Sequence, residues 1–271
     1  MLVEKTVDIN GLAINYVEGS SNNHPVILLH GVTNRWQSFL SVLPLLGWRY
    51  HVFALDQRGH GLSGRGHSPY LSDKFAQDII SFLKQVVERP AIIAGHSLGA
   101  MIALKIAAQV DETLVKAIVL EDPPLFAAAD DEVPTPPWFK QYHNLVTETN
   151  VFEDQLEQFA VISPELNNVS LRAQVTSLRQ VDPALLLDGA RDQIFPDFFI
   201  SEVLPNIQCP ALLIRGNPSL GGVIEEEHSL QAIHLLPKAT HIFVPDMGHN
   251  LHREQPQRYF TLVSQFIETI L

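Results

Sequence analysis

The feature that most narrows what this chain can fold into is Gly95-His96-Ser97-Leu98-Gly99 together with its flanks. Ala91-Ile92-Ile93-Ala94 ahead of it is an apolar run of strand length, and residues 100–108 behind it are dense in good helix formers. A serine is thereby set on a sharp strand-to-helix turn with a glycine two residues away on each side. Such a turn holds its central residue in a strained backbone conformation. Strand and helix pass too closely at its flanks for side chains, so glycine suits both places. The serine oxygen is pushed out above the sheet, beside the unpaired N–H groups of a helix N-terminus. This is the geometry of a nucleophile elbow. A glycine-rich turn with an idle serine matches the same five letters, so the reading depends on partners elsewhere in the chain.

The rhythm of the chain says where those partners lie. Residues 3–8 and 12–18 read as strands joined at Asn10-Gly11, a strong hairpin signal. Residues 26–29 form a continuous apolar run ending at His30-Gly31, which suits a strand covered on both faces of a parallel sheet. A short helix is expected over 36–46, a strand over 52–55, and a helix over 72–87 from the spacing of Phe75, Ile79, Phe82, Leu83, Val86 and Val87. After the elbow comes a strand over 115–120, ending in Glu121-Asp122-Pro123-Pro124. Pro134, Pro136 and Pro137 then break the pattern, and helical stretches without strands follow at about 138–147, 152–162, 164–180 and 183–187. Strands return over 211–214 and 240–244, with helices over 225–236 and 255–270. Alternating strand and helix with one helical excursion predicts an α/β sheet, 1–122 and 206–271 forming the core and 123–205 a helical cap. Ligands on open α/β sheets bind beyond the carboxyl ends of strands. The elbow, His30-Gly31, Asp56, Asp122 and the loop after Val244 all fall there.

A serine hydroxyl, with its pKa far above neutrality, needs a base within hydrogen-bond reach. His249, in Pro245-Asp246-Met247-Gly248-His249 just past the last strand, is the candidate, because imidazole can take a proton and return it near neutral pH. His252 three residues on makes H-x-x-H, but without helix spacing or a third ligand in view no metal is expected. A carboxylate should orient the imidazole and stabilise its charged form. Asp122 follows the strand after the elbow and can point into the same crevice. Glu121 is one residue earlier and faces the other way if the strand continues. Glu225, Glu226 and Glu227 stay open as alternatives, although an acidic first turn also stabilises a helix. At His30-Gly31-Val32 the Val32 N–H can pair with the Leu98 N–H as two donors aimed at an oxyanion, each typically worth about 3 kcal/mol of barrier.

The stretch 56–64 contains a formal G-x-G-x-x-G, but Arg65-Gly66-His67-Ser68-Pro69 stops any helix that a dinucleotide phosphate would need. A structural loop tied by Asp56 and Arg58 is the better account, and no cofactor is expected. With 18 basic and 30 acidic residues the net charge is −12, which disfavours a nucleic-acid or anionic-membrane surface. No apolar run is long enough for a transmembrane helix. The first residues show no basic segment followed by an apolar one, so a cytoplasmic location is the default expectation. One cysteine, Cys209, excludes an internal disulfide and reads as a small buried hydrophobe.

The elbow, His30-Gly31, the Asp56–Ser63 loop, Asp122 and Gly248-His249, standing in this order, resemble the α/β-hydrolase superfamily over essentially the whole chain. The resemblance implies an eight-stranded, mostly parallel sheet flanked by helices, with a helical cap after the sixth strand. It implies Ser97 as nucleophile, His249 as base, and the Val32 and Leu98 N–H groups as oxyanion hole. Many members carry the acid after the seventh strand in a G-x-x-D register, where this chain has Gly216-Asn217-Pro218-Ser219. Others carry it after the sixth, where Asp122 stands, and the order Ser, acid, His survives either way. Serine at the elbow separates the chain from relatives with an aspartate nucleophile, the haloalkane dehalogenases and most epoxide hydrolases. The expectation is an esterase-like serine hydrolase cleaving a carboxylic ester or lactone. Hydrolysis of a carbon–carbon bond in a vinylogous diketone, with Arg35 holding a substrate carboxylate, is the second reading. Cofactor-free haloperoxidase or perhydrolase activity is possible on the same triad, and a small-molecule receptor is the non-enzyme alternative. The expected substrate is small, an apolar acyl or aromatic compound. Trp36, Leu125, Phe126, Trp138, Phe139, Phe195, Phe198, Phe199 and Met247 are the candidates for its pocket.

Overall fold

The computed structural model describes residues 2–19, 23–125, 136–196 and 198–271. Phe126 and Pro134 lie outside the described residues.

The strands are β1 (Leu2–Ile9), β2 (Leu12–Gly19), β3 (Pro25–Leu29), β4 (His51–Leu55), β5 (Ala91–His96), β6 (Val115–Glu121), β7 (Ala211–Arg215) and β8 (Ala239–Phe243). They form one eight-stranded sheet in the order β1-β2-β4-β3-β5-β6-β7-β8. β1–β2 and β2–β4 pair antiparallel, and every other pairing is parallel. The hairpin turns where Asn10-Gly11 requires it: both residues have positive φ, 55° and 84°, matching the twist of the strands they join. β3, β5 and β7 are buried along their whole length, as uninterrupted apolar runs require of covered parallel strands.

The helices are α1 (Leu43–Arg49), α2 (Ser72–Phe82), α3 (Leu98–Ala107), α4 (Trp138–Glu148), α5 (Phe152–Ile162), α6 (Asn168–Leu178), α7 (Pro183–Ala190), α8 (Ile200–Val203), α9 (Glu226–Leu235), α10 (Leu251–Glu254) and α11 (Pro256–Glu268). Alternate strand residues sort to the two faces. Ile27, Leu29, Ile93 and Leu120 pack with α2 and α3, whereas Val26, Leu28, Ala94 and Val119 pack with α1 and α11. No helix among the described residues is long and apolar enough to cross a membrane.

The elements depart from expectation at places with local causes. The single helix expected over 36–46 is a 3₁₀ turn, Trp36–Phe39, followed by α1, whose start is fixed by proline in its first turn. α2 passes into one π turn, Leu83–Val87, which ends where Glu88 turns to φ 54°. α6 starts at Asn168 because the Asn167 side chain accepts the Ser170 N–H at 3.0 Å. α8 and α10 have four residues each, too few for any periodicity to announce them.

Between β6 and β7 the described residues hold helices only, α4 to α8. This helical segment rests on two loops of the sheet's carboxyl edge. Buried Asp188 accepts the Ser68 hydroxyl and the Tyr70 N–H, each at 2.8 Å. Tyr70 Oη donates to Asp182 at 2.7 Å, and the Asp182 N–H donates to the Gly59 carbonyl at 2.7 Å. Gln174 Nε2 donates to Thr33 Oγ1 at 3.0 Å, and Arg35 Nη1 donates to Gln180 Oε1 at 3.1 Å. The loop carrying the formal G-x-G-x-x-G is tied from within by Asp56. Its carboxylate accepts the Trp36 N–H (2.7 Å), the Leu62 N–H (3.0 Å) and Asn15 Nδ2 (2.9 Å). Arg58 grips Asp78 through two nitrogens at 2.6 and 2.7 Å.

Candidate active site

β5 runs straight into α3, and the one residue between them is Ser97, at φ 52° and ψ −116°. A non-glycine residue rarely adopts that conformation, and the close packing around it enforces it. A Cβ at Gly95 would collide with the Gly99 carbonyl, and one at Gly99 with the Leu29 carbonyl. Strand and helix therefore touch backbone to backbone, and the serine is the residue left protruding. The Leu98 N–H opens α3 and has no intrahelical acceptor. The Val32 N–H makes no hydrogen bond among the described residues. Gly31 brings the Val32 loop against the elbow, since a Cβ there would sit 3.3 Å from Ser97 Cβ. His60 braces that loop: its Nε2 lies 2.6 Å from the Val32 carbonyl, and burial pulls its pKa down to about 4.

Asp122, at φ 45°, is buried just past β6. Its Oδ2 accepts His249 Nδ1 at 2.7 Å and the Val223 N–H at 2.8 Å, and its Oδ1 accepts the Gly216 N–H at 3.3 Å. The loop that follows β7 thus donates two N–H groups to this carboxylate. Ser219, at the place where many relatives carry one, is exposed and bonds Asn217. Glu225, Glu226 and Glu227 stand exposed at the start of α9 and make no hydrogen bond with His249. His249 is partly exposed, so Nδ1 faces the acid while the ring stays open to solvent. The Ser97 hydroxyl makes no hydrogen bond with the described residues, His249 included. Catalytic hydrogen bonds are often loose before substrate arrives.

Residues 26–262 match a family described as the Alpha/beta hydrolase family. The chain is an alpha/beta hydrolase. It is 28% identical over 267 residues to the N-formylmaleamate deformylase of Pseudomonas putida, covering 97% of this chain and 95% of that one. It is 26% identical to the 2-(acetamidomethylene)succinate hydrolase of Mesorhizobium japonicum, covering 98% and 95%. The crystal structure of an N-formylmaleamic acid deformylase from Pseudomonas putida superposes with a TM-score of 0.82 at 21% identity, covering 96% of this chain and all of that one.

The residues expected to form a pocket in this alpha/beta hydrolase are spread over several environments. Met247 is buried in the core beside α11, and Trp36 packs at the edge of that core with its indole N–H donated to Glu4 at 2.9 Å. Leu125 is buried on the α3 side. Trp138 stacks on Phe139 at 3.9 Å between ring centroids, and Phe139 fills the space over Gly189. Phe195 and Phe198 meet edge to face, and Phe199 is exposed. A cavity of about 210 Å³ opens among Val146, Arg179 and Asp182 of the helical segment and Arg65. None of the expected pocket residues lines it.

The sequence reading missed a second acid–imidazole pair. Glu121 Oε1 accepts both the His252 N–H and His252 Nδ1 at 2.9 Å, with neither side chain more than 1% exposed. His96, level with Glu121 in the β5–β6 register, points its Nε2 at the His249 carbonyl, 2.9 Å away. Donor atoms of His96, Glu121 and His252 all lie within 4.8 Å of one another, so a third potential ligand does stand near His252. His252 Nδ1 and the carboxylate are already spent on each other and His96 Nε2 on a carbonyl. That leaves two free nitrogens, short of the three protein ligands a zinc site takes. A signal for the pair was present. Two adjacent acids at a strand end face opposite ways, and H-x-x-H offers an imidazole for each.

Proposed function

We propose that this alpha/beta hydrolase works by acyl transfer through Ser97, with His249 as base, Asp122 as orienting acid and the Val32 and Leu98 N–H groups as oxyanion hole. The observation that carries the reading is the 2.7 Å contact between buried Asp122 and His249 Nδ1 beside the strained elbow. With Nδ1–H donated to the carboxylate, Nε2 is left as the lone pair that can accept the Ser97 proton. Ser97 Oγ attacks the substrate carbonyl as Nε2 takes that proton, and the oxyanion is held by the two N–H groups. Nε2 then protonates the leaving group. Water, deprotonated by the same nitrogen, releases the acyl group and restores the serine. The helical segment 123–205 serves as a cap over the serine, seated through Asp182, Asp188 and Gln174.

The substrate is a small carboxylic ester or lactone. A second reading, a small N-acyl compound carrying a carboxylate, is favoured by Arg35. This residue lies three positions past Val32, half-buried, with its Nε buried and without a partner among the described residues. Two relatives named as an N-formylmaleamate deformylase and a 2-(acetamidomethylene)succinate hydrolase support that reading. The test is turnover of wild type and Ser97→Ala on short p-nitrophenyl esters, lactones and N-formyl or N-acetyl amino-acrylates. Ester or amide turnover lost in Ser97→Ala is expected. Turnover on no member of the panel contradicts the proposal.

A further inference from the structure

The Asp122–His249 pair sits directly above a second pair that acyl transfer as proposed does not use. Glu121 is the last residue of β6 and Asp122, at φ 45°, the first beyond it, and the two carboxylates meet different histidines. Glu121 meets His252, three residues beyond His249 on the same chain segment. Between the two histidines lies the ring of His96, with centroids 4.5 Å from His249 and 4.9 Å from His252. A main-chain carbonyl can only accept, so the 2.9 Å contact to the His249 carbonyl fixes His96 as the tautomer with its proton on Nε2. Burial and the neighbouring histidines hold its pKa well below the ordinary imidazole value, which keeps it in that neutral form.

Resting on the serine reading above, we infer that His96, Glu121 and His252 are positioning residues for His249. His96 clamps the His249 carbonyl, while Glu121 clamps the first turn of α10 by accepting the His252 N–H and Nδ1–H. The base is thereby fixed from its own carbonyl and from three residues downstream, and Asp122 need only orient the ring. The arrangement gives a buried carboxylate two charge-assisted hydrogen bonds, which its burial demands. It also explains why the residue before the nucleophile is a histidine. A leucine there would fill the space and donate nothing. Glutamine can carry an N–H close to where Nε2 now lies.

The test is kinetics and proton NMR on the full chain, with the best ester of the panel. His96→Leu is expected to lower kcat by about 10- to 100-fold, the scale on which slight misplacement of a base acts, with KM within threefold of wild type. The downfield resonance of the His249–Asp122 proton, identified by its loss in Asp122→Asn, should move upfield. His96→Gln should recover most of kcat and the resonance. A folded His96→Leu with wild-type kcat and an unmoved resonance overturns the inference, as does a His96→Gln variant no better than His96→Leu. If His96→Leu does not fold, Glu121→Gln carries the same test. It keeps an acceptor but loses the charge, so a smaller fall in kcat is expected, and unchanged kcat and resonance overturn the inference. Failure of the serine reading shows elsewhere, as turnover that survives Ser97→Ala.

Discussion

At Ser97 a φ of 52° on a residue with a side chain costs on the order of 1–3 kcal/mol, and the surrounding backbone contacts hold it there. Gly99→Ala would drive a methyl into the Leu29 carbonyl and should destabilise the fold by more than the 1–3 kcal/mol usual for overpacking, read as a fall in thermal midpoint. Asp122 carries the proposed orienting role, and three donors converge on its carboxylate. Asp122→Asn presents an amide where His249 now donates, and it turns the imidazole toward the wrong tautomer. A fall in kcat of about 10⁴-fold with little change in KM is expected on the ester substrate. Near-wild-type kcat would move the acid elsewhere.

Among the elements, the parallel strands and the elbow were legible in the sequence for one reason. A strand covered on both faces must be apolar throughout, so residues 26–29, 91–94 and 211–214 announce themselves. The Asn10-Gly11 hairpin was legible because its backbone demands are local. What stayed hidden depends on distance in sequence. α10 is too short for a pattern, and the Glu121–His252 contact spans 131 positions. The seating of the helical segment was equally out of reach, because Asp188 meets Ser68 and Tyr70 across some 120 residues. That contact makes a prediction at this scale. Asp188→Ala leaves the Tyr70 N–H buried without an acceptor, costing about 1–3 kcal/mol. Limited proteolysis within 123–205 should accelerate while α3 and the sheet stay protected. An unchanged cleavage pattern would show that the segment is held by other contacts.

Across the whole molecule, the fully or nearly buried imidazoles of His30, His60 and His96 tie stability to pH. Burial lowers His30 and His96 well below 6.5 and His60 to about 4. The native state keeps them neutral where the unfolded chain takes up protons. Their contribution is therefore complete above pH 6.5 and is lost as pH falls toward the native values. For His60 alone the loss integrates to roughly 3 kcal/mol at pH 4. Asp56 and Asp78, raised by burial, oppose it as pH falls through their native values, where the native state takes up protons before the unfolded chain does. Urea unfolding should give a lower midpoint at about pH 5 than at about pH 7.5, and equal midpoints would contradict this account.

In the proposed mechanism the elbow, Asp122 and His249 serve one atom, Ser97 Oγ. The most direct test is labelling with a fluorophosphonate followed by peptide mapping of the adduct, alongside residual turnover. The account predicts one phosphonyl group per chain, on the peptide holding Ser97, with turnover lost in proportion to labelling and no adduct in Ser97→Ala. A chain that turns over ester while Ser97 stays unlabelled, or one labelled elsewhere as it loses activity, would contradict it.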